Sequence, residues 1–369
     1  MYRWLDKHIG SLLCYFFSFL NLFNIKRKIT SDSKNKIIIL KFYEMGCIVL
    51  LQPCLKALRQ KYPNSKIYFI TIEKNKEIIE MMNIVDNIFT INDNNIFSFT
   101  MDILEKIKKL RNENIDVLID LEFLTRFSAI TTFLISAKKS VGFYSRKVFR
   151  GNFYNEKVDY SNEKHITKIY KETFKKLDID VEYKIPFELN YEILENLNEF
   201  SGKIISVNIN SNAAIVERRW PKEYFIEIVK FLQKTSYKII LVGSKVNEEY
   251  VNSFIKLLAD KNIENYTGNL SLKQLAGLFK ISKLVITNDS GPLHLAYAMG
   301  TATFSFFGPE SPAIFGPIGN NHKIFYKNLS CSPCVDVYNG KKVKCTKKTV
   351  ECLNQIKPEE VIEELKKML

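Results

Sequence analysis

The segment LVITNDSGPLHLAYAMG, residues 284–300, carries the most chemistry per residue in this chain. A strand ends at Asp289, Ser290 and Gly291 make the turn, and a helix follows at once. The first amides of such a helix lack intrahelical partners and lie at the positive end of its dipole. That makes a ready anion site, suited to a diphosphate. Gly291 permits close backbone approach, and Pro292 is tolerated in a first turn. Asp289 ends the strand with a carboxylate able to accept sugar hydroxyls. Asn288 precedes it, and His294 stands one turn along the helix. An ordinary capped helix with a packed histidine accounts for the same letters.

Other chemistry-bearing residues end other strands. Lys41-Phe-Tyr-Glu44-Met-Gly46-Cys47 joins the first strand to the first helix of the main series, with Gly46 permitting a tight turn. Glu122 ends a further strand, and Arg126 follows one turn on. Glu44 and Glu122 are candidates for a general base, against the alternative of carboxylates that are solvated or paired with Lys or Arg. Arg218 and Arg219, before Trp220 and Pro221, can neutralise a phosphate. Gly243, Ser244 and Glu248, at another strand end, can line a nucleoside pocket or form a simple turn and cap.

Cys331, Cys334, Cys345 and Cys352 form C-x2-C-x10-C-x6-C inside 22 residues. Four thiolates complete a tetrahedral zinc site, so structural zinc is one reading. Free thiols or a disulfide-pinned loop are the other. Cys14, Cys47 and Cys54 read as small core residues. The odd total of 7 argues for a reducing compartment. Asp178-Ile-Asp180 spells D-x-D, but in a polar loop where chance explains it. There is no G-x-G-x-x-G, no phosphate-binding G-x4-G-K-[ST] and no H-E-x-x-H. These absences argue against a dinucleotide oxidoreductase, a P-loop nucleotidase and a zinc protease.

The elements that must hold these residues alternate regularly. KIIILK, IYFITI, NIFTI, DVLIDLE and KSVGF read as strands between helical runs, across residues 36–143. Residues 184–202 break the rhythm. A second series follows: ISVNIN, KIILVGS, KLVITND and TATFSFFG are its strands. Asn247 and Ser271 are expected helix caps, Pro221 falls in a first turn, and PEEVIEELKKML forms a last helix. Strand–helix alternation implies two α/β domains with parallel sheets and a cleft between them, with ligands beyond the carboxyl ends of the strands. The expected division is 34–185, a linker at 186–202, 203–355, and a helix at 356–369.

Length and charge agree with this. A chain of 369 residues, 46% hydrophobic and 25% charged, suits two globular domains. Its net charge of +14 favours acidic partners such as anionic lipid or phosphorylated small molecules. No nucleic-acid module is visible, and the charge is spread along the chain. Residues 9–25, IGSLLCYFFSFLNLFNI, are almost wholly apolar, with Arg3 and Lys7 before them and Lys26, Arg27 and Lys28 after. The stretch is short for a spanning helix and has no cleavage site. Residues 1–30 are therefore expected to lie as an amphipathic helix on an anionic membrane surface, or else to dock on the protein itself.

Taken together, LKFYEMGCIVLLQPCLKALRQKYP, ERRWP at 217–221, and ITNDSGPLHLAYAMG followed by FFGPESPAIFGP resemble glycosyltransferase family 9, the heptosyltransferase-like enzymes. DLEFLTRFSA, VGF, RGNFYN, His165 and CSPCVDVYN look like one branch of it. The resemblance implies the GT-B fold of two facing Rossmann-like domains, acceptor on the first and nucleotide-sugar on the second. It implies inverting, metal-independent transfer with no cofactor. The donor is a nucleotide-diphosphate sugar, for which ADP-heptose is the family's usual case. The acceptor is a lipid-linked glycan or lipopolysaccharide precursor, met by an enzyme peripheral on the inner face of the cytoplasmic membrane.

Carried over by motif, Asp289 meets the donor sugar, Ser290 and Gly291 hold the diphosphate, and Arg218 faces a phosphate. Arg219, Gly243, Ser244, Glu248, Asn288 and His294 complete the donor side. Lys41, Gly46, Arg126 and His165 complete the acceptor side. The last helix is expected to pack back on the first domain. One departure stands out: better-known members carry Asp after the loop glycine as base, where this chain has Cys47. Glu44 and Glu122 are the replacements, or the protein binds sugar nucleotides or glycans without turnover.

Overall fold

The structure, a computed structural model, describes residues 2–23, 35–211, 215–258, 263–341, 343, 345–347 and 349–369. The basic residues Lys26, Arg27 and Lys28 lie outside the described residues. The chain forms two compact units. Unit 1 is Met1–Tyr183 with Asp336–Lys341, and unit 2 is Lys184–Val335 with Lys342–Leu369.

Unit 1 contains α1 (Tyr2–Phe23), β1 (Lys36–Leu40), α2 (Met45–Val49), α3 (Gln52–Lys61), β2 (Lys66–Ile72), α4 (Lys76–Met82), β3 (Asn87–Ile91) and α5 (Ile96–Asn112). It continues with β4 (Val117–Asp120), α6 (Arg126–Ile135), β5 (Lys139–Tyr144), β6 (Glu156–Asp159) and α7 (Ile166–Lys175). The sheet is parallel in the order β3-β2-β1-β4-β5-β6. Ile37–Leu40 are all buried, as a strand covered on both faces requires. Leu40 and Tyr68 pack with Phe99, Ile103 and Leu110, the apolar stripe of α5.

Unit 2 contains α8 (Glu195–Asn198), β7 (Ile204–Asn208), α9 (Lys222–Leu232), β8 (Lys238–Leu241), α10 (Glu248–Ile255), β9 (Ile263–Asn265) and α11 (Leu272–Ile281). Then come β10 (Ser282–Asn288), α12 (Gly291–Ala298), β11 (Ala302–Phe306), α13 (Pro312–Phe315), β12 (His322–Phe325), α14 (Glu351–Asn354) and α15 (Pro358–Met368). Its order, β12-β11-β10-β7-β8-β9, repeats that of unit 1 when its own strands are counted from one. Trp220 anchors the core, stacked on Phe306 with centroids 4.1 Å apart and donating from its indole N–H to the Ile356 carbonyl.

Several expectations change. Residues 186–202 are no free linker: Phe187 and Glu192 donate their amides to Ala298 and Lys273, binding the segment into unit 2. The last helix was expected on the first domain, but Val361 and Leu365 are buried in the core of unit 2 beside α9. Its apolar stripe continues the Trp220 cluster, which decides where it packs. Residues 336–341, expected in the second domain, belong to unit 1. There Tyr338 donates its hydroxyl to the Tyr160 carbonyl, and Asn162 donates to Asp336.

The N-terminal helix docks on unit 1. Cys14 and Phe17 pack with Ala129, Phe133 and Phe153, and Gly10 lets α1 approach the Arg126 side chain. Among the described residues, no helix is long and apolar enough to cross a membrane.

Candidate active site

In each unit the loops after the first and fourth strands meet where the strand order reverses, the place where such sheets bind ligands. In unit 2 these loops follow β7 and β10. Asn288 is fully buried and holds them together: its amide donates to the carbonyls of Ile209 and Asn210, and its oxygen accepts from the Trp220 N–H at 2.8 Å. Expected among donor-binding residues, Asn288 has its hydrogen-bonding capacity used internally, which makes it a clasp.

Asp289 lies one residue on. Arg218 Nη1 stands 3.4 Å from its Oδ2, and Arg218 Nη2 is 2.6 Å from Glu310 Oε2. Both carboxylates are buried, while Arg218 keeps part of its side chain exposed. A guanidinium held by two acids is aimed and still able to meet a phosphate. Glu310 was missed as a site residue, although it sits inside the FFGPESP motif. Ser290 is the N-cap of α12 in extended conformation without bonding the helix amides from its side chain. Its hydroxyl instead donates to the Asn288 carbonyl. The amino end of α12 therefore keeps its backbone donors for a ligand. His294 is buried within α12.

Beside this, Arg219 Nη2 donates to Asn247 Oδ1 and its guanidinium lies 4.4 Å from the centre of the Tyr250 ring. Asn247 occupies the N-cap of α10 without capping it, because its amide turns to Ser244. Ser271 does cap α11, in a full capping box with Gln274. Pro221 stands at the N-cap of α9 rather than inside its first turn. A Cβ at Gly243 would collide with the Asn210 amide, so that glycine admits the loop after β7. Ser244 and Glu248 are exposed.

In unit 1 the corresponding loops follow β1 and β4. Glu122, a candidate base, accepts from four donors: the amides of Phe42, Tyr43 and Phe123 at 2.8, 3.2 and 3.1 Å, and Lys41 Nζ at 3.3 Å. It is 3% exposed, and Lys41 is fully buried over the Phe123 ring. A carboxylate so engaged ties the loop after β1 to the end of β4. Lys41, expected to face the acceptor, is its counter-ion.

Glu44 differs. It has a left-handed backbone, φ 71°, at the N-cap of α2, so the unusual conformation falls on Glu44 and not on Gly46. Such strain in a non-glycine residue is held by its surroundings and clusters at functional positions. Its Oε1 is 2.7 Å from Lys341 Nζ, and its Oε2 accepts from the Cys47 thiol at 3.3 Å. Burial alone would raise its pKa, but the ammoniums of Lys341 and Lys41 and the two hydrogen bonds outweigh it and bring the carboxyl down to about 2. Burial, then the neighbouring Glu44 charge, pushes the Cys47 thiol well above its usual range. Cys47 is thus a neutral buried thiol beside an ionised carboxylate. Lys341 comes from the 336–341 segment, and no spacing in the sequence marks it.

Two acceptor-side expectations move elsewhere. Arg126 faces α1, with Nη1 3.7 Å from Asp6 Oδ2. His165 caps α7, its Nδ1 accepting from the Thr167 amide. Cys331, Cys334, Cys345 and Cys352 are free thiols, and no cluster of potential ligands able to hold a metal exists among the described residues. The zinc expectation therefore finds no site there.

The model of glycosyltransferase family 9 (heptosyltransferase) matches residues 103–344. The chain belongs to glycosyltransferase family 9. Among relatives, the lipooligosaccharide heptosyltransferase 2 of Campylobacter jejuni is 32% identical over 193 residues, 50% of this chain and 57% of that protein. The match thus spans little more than half of that relative's length. Lipopolysaccharide heptosyltransferase 1 of Campylobacter coli is 24% identical over 90% of this chain and 98% of its own. Among solved structures, the family 9 glycosyl transferase of Veillonella parvula superposes with a TM-score of 0.73 at 21% identity, covering 92% of this chain and 99% of that one. The Escherichia coli heptosyltransferase WaaC, solved with ADP-2-deoxy-2-fluoro heptose, gives 0.69 at 19% identity over 90% and 99%. The family fold is GT-B, and the two parallel six-stranded sheets described above agree with it.

Proposed function

We propose that this protein is an inverting glycosyltransferase that moves a heptose from ADP-heptose onto a lipopolysaccharide or related surface-glycan acceptor. The observation that carries the reading is Arg218, held by Asp289 and Glu310 next to the open amino end of α12. Family membership and the names of the relatives support the sugar and the acceptor.

In this reading the acceptor hydroxyl oxygen bonds to the anomeric carbon as the bond from that carbon to the diphosphate oxygen breaks. The acceptor proton passes to the Glu44 carboxylate. ADP leaves with its new charge held by the Ser290 and Gly291 amides and by Arg218. Asp289 orients the donor sugar. Amides and a guanidinium supply the electrostatics, so the scheme requires no cofactor. The acceptor is amphiphilic, which places the enzyme at the inner face of the cytoplasmic membrane.

The second reading is a donor-binding protein without turnover. It is favoured by Cys47, a neutral thiol where better-known members place an acid. The deciding assay follows ADP release from ADP-heptose with detergent-dispersed, heptose-deficient lipopolysaccharide. Turnover that falls at least ~100-fold in Glu44→Gln and in Asp289→Asn supports transfer. Donor binding without turnover supports the second reading, and neither binding nor turnover overturns both.

A further inference from the structure

Helix α1 is apolar on two sides, and unit 1 covers only one of them. Gly10, Cys14, Phe17 and Asn21, spaced along one face, meet unit 1: Cys14 is fully buried, and Asn21 donates to the Asn152 carbonyl. Asp6, on the same side, accepts from the Phe127 amide at 2.9 Å and pairs with Arg126. The opposite face carries Ile9, Leu12, Leu13, Phe16, Phe19 and Leu20, all exposed, with Leu12 at 70% and Phe19 at 59%. Trp4 and Tyr15 stand exposed at its margins. A helix apolar all round belongs in apolar surroundings on every side, and a contiguous exposed patch of this kind marks an interaction surface.

A second element extends the patch. The Phe149 ring stacks on Tyr15 with centroids 4.4 Å apart. Its loop, 145–149, also exposes Arg146 and Lys147. The one acid of α1, Asp6, is turned inward. Among the described residues, the outer face of α1 and this loop present no carboxylate, and the loop supplies two cations. In sequence, Lys26, Arg27 and Lys28 follow shortly after α1.

We propose that the outer face of α1, together with Phe149, Arg146 and Lys147, seats the protein in the headgroup region of an anionic bilayer. This deepens, and rests on, the membrane location given under Proposed function. The helix lies in the membrane plane while still docked on α6, its outer side chains entering about 5–10 Å. Arg146 and Lys147 meet lipid phosphates. Charge complementarity selects this occupant: aromatic and aliphatic groups bordered by the cations of the 145–149 loop, without acids, match an anionic lipid surface. Docking through Asp6, Gly10 and Cys14 then fixes which way the loops of unit 1 face relative to the bilayer.

The test is flotation of the full chain with vesicles of phosphatidylglycerol and phosphatidylethanolamine, and with phosphatidylcholine alone. The protein is expected to float with the anionic vesicles, less so at high salt, and its Trp4 emission to shift to the blue. Phe16→Glu/Phe19→Glu should weaken binding at least tenfold with unchanged thermal stability. Arg146→Glu/Lys147→Glu should weaken binding on anionic vesicles only. If the parent floats and the Phe16→Glu/Phe19→Glu variant floats equally, this surface is wrong and the membrane location stands. If the parent floats with no vesicle, both fall, while transfer to detergent-dispersed acceptor is judged separately. A dimer abolished by the phenylalanine substitutions, without vesicle binding, assigns the face to a second copy and overturns the proposal.

Discussion

The two units share a strand order yet tie down the same point of the fold with opposite chemistry. Where the order reverses, unit 1 places Glu122, whose carboxylate accepts backbone N–H groups from the loop after β1. Unit 2 places Asn288, whose amide donates to backbone carbonyls of the loop after β7. Both obey one demand: buried backbone groups need partners. The charged clasp requires a buried counter-ion, Lys41, and the pair closes on itself. The neutral clasp needs none, so the acid beside it, Asp289, is left to aim Arg218. A buried charge with every lone pair used is architecture; chemistry is better sought where a charge is held but not consumed. Glu44 in unit 1 meets that description, and Glu122 does not.

Breaking the charged clasp should have the largest effect. Glu122→Gln leaves the Lys41 ammonium buried without its carboxylate and should cost about 3–5 kcal/mol in urea unfolding. Turnover per folded molecule should stay within a few-fold, whereas a loss of ~100-fold at full stability would restore Glu122 as base. Asn288→Ala removes the neutral clasp and strands the Trp220 amide and two carbonyls. It should cost less, about 2–3 kcal/mol by the same measurement, and equal or greater loss would reverse the ranking of the two clasps.

A smaller effect is expected from Lys341→Met. Without that ammonium, burial raises the Glu44 carboxyl from about 2 part of the way to its ordinary 4.5, with Lys41 and Cys47 still holding it down, so the acid limb of the kcat/KM profile should move up by about 1–2 pH units. In the parent the depressed carboxyl stabilises the fold fully above the ordinary 4.5, and this contribution fades as pH falls toward 2. An unmoved acid limb would separate Glu44 from the reaction. The smallest effect is in thiol labelling: exposed Cys331 and Cys334 in unit 2 should react first, and Cys47 in unit 1 only on unfolding. Early labelling of Cys47 would contradict its burial.

Much of this was legible in the letters. The strands and the turn at Asp289 follow from short apolar runs broken by polar or glycine-bearing turns, a local signal. Arg218 was legible through ERRWP. Long-range pairing was not. Nothing near Glu122 announces that Lys41, 81 positions earlier, becomes its counter-ion. Nothing in the 336–341 segment announces that Lys341 meets Glu44. The small inward residues of α1, Gly10 and Cys14, look the same in sequence as its exposed ones, so a hydropathy reading could not tell which side docks. α7 and β12 escaped notice because their apolar pattern is short and interrupted by Lys and Thr.

The return of residues 336–341 to unit 1 has a practical consequence for recombination between relatives. A chimaera joined at one seam near Tyr183 takes its carboxy-terminal module from one parent, and with it a foreign lysine, or none, opposite Glu44. Such hybrids would carry a mismatched counter-ion that no inspection of the junction reveals. Faithful exchange needs three cuts, with the six-residue excursion inherited from the parent that supplies the amino-terminal module.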